Sequence, residues 1–213
     1  MNEALDVAIG TLGLPGFLAT PLQARGLIIF AHGSGSSRLS PRNAYAAERL
    51  QERGFATLLF DLLTEKEGVD RRNVFDIGLL GRRVCEAIEW ARKEERTAKS
   101  AIGLFGASTG AAAAIVAAAM RPCDVAAVVS RGGRPDLAGD ALARLAAPTL
   151  LIVGGEDRDV ITLNRQAQRL MRCESELTII PGASHLFEEP GALDLALAAA
   201  GDWFLAHVRG ARA

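Results

Sequence analysis

The chain has 213 residues, 49% of them hydrophobic, and a formal net charge of −1. That is enough apolar material for a sizeable core, and it predicts one α/β domain over residues 1–213. A near-neutral balance, with arginines spread along the chain, excludes the electrostatic footprint of a nucleic-acid binder or of a protein drawn to an anionic membrane.

Glu3 and Asp6 stand where a secretory leader needs a basic region, and no apolar run nears the length of a membrane span. Cys85, Cys123 and Cys173 are odd in number and far apart, which suggests neither a disulfide framework nor a thiolate metal site. A cytoplasmic protein is the reading. In chain order, Leu5 to Ile9 and Leu12 to Leu18 predict a short antiparallel hairpin around Gly10-Thr11. Strand Leu27 to Ala31, helix Pro41 to Arg53, strand Thr57 to Phe60 and helix Asn73 to Glu94 follow, then strand Ala101 to Phe105 and helix Ser108 to Met120. The last third reads as strands Val125 to Val129 and Thr149 to Val153, helix Val160 to Arg172, strand Leu177 to Ile180 and helix Gly191 to Val208. Strands rich in Val, Ile and Leu that alternate with helices predict a mostly parallel central sheet covered on both faces. The stretch from Gly132 to Pro148 is too short for a lid domain, so the site is expected to be open and shallow.

In such a sheet ligands bind beyond the carboxyl ends of the strands, which directs attention to the residues just after each apolar run. Gly106-Ala107-Ser108-Thr109-Gly110 is a G-x-S-x-G elbow, which sets a serine on a strained turn between strand and helix. Serine is a weak nucleophile until a base accepts its proton. His185, after the last strand, suits that role. His207, late in the final helix, reads as a solvated histidine, and His32, ahead of a glycine-rich turn, as a structural hydrogen bonder. For the acid that orients the base, Asp157 after Gly154-Gly155 is favoured over Asp159, which stands where the next helix needs an N-cap. Glu156 reads as solvated and Asp61 as a loop organiser.

An oxyanion needs fixed donors, predicted here as the backbone N–H groups of Thr109 and Ser34, with Gly35 the alternative to Ser34. Arg131 and Arg134, together with Arg38 and Arg42, are candidates for holding a substrate carboxylate; the plainer reading pairs them with local acids such as Asp136. No spacing suggests a metal, and the glycine-rich loop lacks the G-K-[ST] ending of a phosphate loop, so the expectation is no metal and no cofactor.

From Leu27 to the last helix, the order Ser, Asp, His at these places resembles the α/β-hydrolases. FAHGSGSSRLSPRN, LLFDLLTEKE, GLFGASTGAAAA, SRGGRPDLAG, LLIVGGEDRDVI and PGASHLFEEPGAL are similar to the small bacterial branch related to dienelactone hydrolase. The resemblance implies Ser108 as nucleophile, Asp157 as acid and His185 as base. The namesake enzymes carry cysteine in the elbow, where this chain has Ser108. The implied activity is hydrolysis of small carboxylic esters or lactones through an acyl-enzyme, with a small-molecule partner and neither nucleic acid nor membrane. Acyl transfer to another acceptor uses the same residues, and the fold also hosts non-catalytic binding or scaffold proteins.

Overall fold

Eight runs of branched and apolar residues form one sheet in the computed structural model, which describes residues 4–209. Glu3, used in the N-terminal reading, lies outside the described residues. The strands are β1 (Leu5–Ile9), β2 (Leu14–Ala19), β3 (Leu27–Ala31), β4 (Ala56–Phe60), β5 (Ile102–Ala107), β6 (Val125–Arg131), β7 (Thr149–Gly154) and β8 (Ser175–Ile180), in spatial order β1-β2-β4-β3-β5-β6-β7-β8. The β1–β2 and β2–β4 pairs are antiparallel and the rest parallel, giving the mostly parallel mixed sheet expected. Every residue of β3 and β4 is buried, as continuous apolar runs must be when helices cover both faces.

The helices are α1 (Pro41–Glu52), α2 (Glu65–Val69), α3 (Arg71–Phe75), α4 (Ile77–Lys93), α5 (Thr109–Met120), α6 (Ala141–Arg144), α7 (Arg158–Leu170) and α8 (Ala192–His207), with a 3-10 turn at Pro135–Ala138. One core cluster joins α1 and α8 to one face of the sheet, and another joins α4 and α5 to the opposite face. Helix α5 is mostly alanine where it is buried, which lets it lie close against both β5 and α4.

One expected helix differs. The stretch read as a single helix from Asn73 to Glu94 is broken at Asp76 between α3 and α4, and a further short helix, α2, precedes it, each of the three opened by its own N-cap. Thr64 and Glu67 form a reciprocal capping box at α2, the Asp70 carboxylate accepts from Arg72 N–H at α3, and that of Asp76 accepts from Leu79 N–H at α4.

Candidate active site

The chain leaves β3 for β4 on one side and returns to β5 on the other, so a crevice opens at the carboxyl ends of β3 and β5. Ser108 stands at the end of β5 with φ of 50° and ψ of −123°, in a region that non-glycine residues seldom occupy. The two elbow glycines are required by close approach. A Cβ on Gly110 would run into the carbonyl oxygens of Ala31 and His32, and one on Gly106 into the Ala111 backbone. Thr109 opens α5, and its N–H belongs to a first turn whose donors have no partner within the helix.

His185 follows β8, and its Nδ1 donates to Asp157 Oδ2 at 2.6 Å, with the carboxylate mostly buried and the imidazole 41% exposed. That bond leaves Nε2 as the free, proton-accepting nitrogen. The loop is tied down by Ser184 N–H, which donates to the Glu189 carboxylate at 3.0 Å and holds its pKa below the usual carboxylate range. Among the described residues no hydrogen bond joins Ser108 to His185, an open arrangement that catalytic pairs often show before substrate binds. Ser34 N–H donates to Thr109 Oγ1 at 3.0 Å, which brings the two expected oxyanion donors to the same place.

Asp159 corrects one expectation. Helix α7 begins at Arg158, so the N-cap position falls on Asp157, and Asp159 is an exposed residue of the first turn. His207 corrects another, since it is not simply solvated but packs against Trp203, with ring centroids 4.3 Å apart and the planes tilted by 49°. His32 is structural: Nε2 accepts from Leu62 N–H and Nδ1 donates to Gly33 O, both at 3.1 Å, and burial lowers its pKa. Glu156 is exposed, and Asp61 accepts from Arg38 through both backbone and guanidinium.

The four candidate arginines separate cleanly. Arg134 is held by Asp136 through two bonds of 2.8 and 2.7 Å, Arg38 by Asp61, and Arg42 by Glu188 at 3.1 Å. Arg131, the last residue of β6, has no ion pair or side-chain hydrogen bond among the described residues, and its buried Nε is unpartnered. It is 8% exposed, and desolvation with the nearby Arg42 charge pushes its pKa down to about 10. Its guanidinium lies 5.7 Å from the centre of the Phe187 ring. Sequence reasoning missed Phe187, a buried residue held at φ of 56° two positions after His185. It also missed Asn164, buried on α7, which donates to Gly133 O at 3.0 Å and fixes the loop after β6. An aromatic side chain inside HLFEEPG was the only signal for the first, and nothing in the local pattern marked the second.

Ser108, His185 and Arg131 line one hollow of about 590 Å³. A second, of about 540 Å³, lies across the Gly33–Ser37 loop and reaches Thr109. Its walls come from the β1–β2 turn, the start of β2 and the α2–α3 segment rather than from the short stretch after Gly132.

The sequence model of the dienelactone hydrolase family matches residues 14–207. A solved dienelactone hydrolase from Anabaena variabilis is 52% identical, with a TM-score of 0.93 over 98% of this chain and 99% of that one. Est1E from Butyrivibrio proteoclasticus has the same fold, with a TM-score of 0.79 at 18% identity over 95% of this chain and 98% of its own. Two Mycobacterium tuberculosis proteins, from strains CDC 1551 and H37Rv and each provisionally named a phosphoribosyl transferase, are 54% identical over 209 residues. That alignment takes in 98% of this chain and 47% of theirs, so the chain spans about half the length of the curated relatives it matches.

Proposed function

The chain belongs to the dienelactone hydrolase family, and from that membership we propose that it is a serine hydrolase of carboxylic esters or lactones. Ser108 Oγ attacks the carbonyl carbon while His185 Nε2 takes its proton, and Asp157 holds the tautomer and stabilises the imidazolium that forms. The carbonyl oxygen becomes an oxyanion facing the N–H groups of Thr109 and Ser34, displacing the Thr109 hydroxyl from the latter. The intermediate collapses, the C–O bond to the leaving group breaks, and His185 returns the proton to the departing oxygen. Water then gives a proton to His185 and attacks the acyl-enzyme, and Ser108 leaves with that proton restored.

The observation that carries this reading is the strained Ser108 elbow opening into the same hollow as a histidine already bonded to a mostly buried aspartate. The phosphoribosyl transferase name belongs to proteins about twice this length, of which this chain spans about half. The test is labelling with a fluorophosphonate followed by mapping of the adduct. A single adduct on Ser108, lost in Ser108→Ala and His185→Ala, is the expected result, together with ester turnover. Labelling elsewhere, or none on folded protein, leaves the scaffold reading standing. Turnover only when a second acyl acceptor is added would make the protein a transferase.

A further inference from the structure

A guanidinium that is buried, charged and unpaired costs free energy that a folded chain normally offsets with a carboxylate. Arg131 has none among the described residues, although Arg134, Arg38 and Arg42 all do. Its surroundings are built, because Phe187 adopts a disfavoured positive φ to lay its ring under the guanidinium. Arg131 also lines the hollow that it shares with Ser108 and His185. Even with its pKa pushed down to about 10, the group keeps its charge at neutral pH.

Two arms of an ester diverge from the scissile carbonyl, and proton delivery fixes which goes where. The leaving oxygen must lie within reach of His185 Nε2, so the alcohol arm occupies the hollow that holds His185 and Arg131. The second hollow lies across the Gly33–Ser37 loop, next to Thr109. That second hollow is walled by Leu12, Leu14, Pro15, Leu63, Val74 and Leu80, together with polar residues that include Glu65 and the Arg38–Asp61 pair.

We propose that the substrate is an apolar acyl ester of a hydroxy acid, with the alcohol-side carboxylate bound by Arg131 and the acyl chain lodged between the β1–β2 turn and α3. This rests on the serine hydrolase reading. A single unpaired positive charge matches a carboxylate better than a dianionic phosphate, since the neighbouring Arg42 is engaged by Glu188. Hydrolysis releases an apolar carboxylic acid and a hydroxycarboxylate.

Three probes test it: hexanoyloxyacetate, its neutral isostere hexanoyloxyacetamide, and monohexyl succinate, in which the carboxylate sits on the acyl side. The first should exceed the second in kcat/KM by about 30-fold, or ~2 kcal/mol, and by less at high salt. In Arg131→Gln that ratio should fall to near one, and Arg131→Lys, which keeps the charge but loses the fork, should restore part of it. Because the readout is a ratio within each variant, a general loss of activity cancels. Val74→Trp, which narrows the acyl hollow from a partly exposed position, should lower hexanoyl turnover more than acetyl turnover. Equal rates on the charged and neutral esters, or a preference for monohexyl succinate, overturn the proposal. So does an absence of turnover on all three by protein that still takes the phosphonate label on Ser108, an outcome that spares the hydrolase reading. Loss of the label as well removes both.

Discussion

Asp157 occupies the N-cap position of α7 yet makes no capping bond, because its carboxylate is engaged by His185 Nδ1. Asp159, two residues on, sits exposed in the first turn, where it can act only through the helix dipole, an effect worth under about 1 kcal/mol. Asp157→Asn should therefore reduce ester kcat by about 10⁴-fold by favouring the wrong tautomer of His185. Asp159→Asn should change it less than about threefold, since the dipole term is small and solvent-screened. Comparable losses in both variants would reassign the acid. At this scale the sequence was informative where chemistry is local: the elbow glycines, and the Gly-Gly turn ahead of Asp157, are spacing signals. The separation of Arg131 from Arg134 was not legible. Arg134 meets an acid two residues away, whereas the isolation of Arg131 depends on which side chains of distant elements reach the end of β6.

Elements were legible wherever an apolar run was long and uninterrupted, as in β3 and β5, and less so where capping chemistry competes with periodicity. The Thr64–Asp76 segment shows the second case: Asp70 and Asp76 each cap one helix and also end the one before, a choice that hydrophobic spacing does not record. Helix α5 shows a different limit. Its alanines signalled high helix propensity, but their small size serves packing, since Ala112, Ala113, Ala114, Ala117 and Ala118 are all fully buried and Val116 abuts Gly81 of α4. Adding three carbons there forces neighbours off their rotamers. Ala114→Leu should lower stability by about 1–3 kcal/mol, read as a lower urea midpoint at unchanged slope. Met120→Leu, at the exposed end of the same helix, should stay within about 0.5 kcal/mol. An unchanged midpoint in Ala114→Leu would mean that α5 has slack the burial does not reveal.

Across the whole molecule, stability and the proposed chemistry draw on different parts of the sheet. The fully buried centre, β3 with β5, carries the elbow and the oxyanion loop, and it is bonded on both sides by parallel neighbours. β1 lies at the edge, pairs only with β2 and is largely exposed along its length. Its turn into β2 nonetheless supplies Leu12, and β2 itself its first residue, Leu14, to the wall of the acyl hollow. Edge strands with few buried contacts open locally at free energies well below global unfolding, so the wall of that hollow belongs to the least stable part of the fold while the nucleophile belongs to the most stable. Native-state hydrogen exchange should show this as a gradient. Amides of β1 should exchange at least about tenfold faster than those of β5, with little dependence on low urea, while β5 amides follow global unfolding and its full urea slope. Filling the hollow with a hexanoyl ester analogue should slow β1 exchange and leave β5 at the global limit plus the binding term. Equal protection of β1 and β5 in the free protein would mean that the hairpin is locked to the sheet, and that the acyl hollow has a rigid wall rather than one that yields to longer chains.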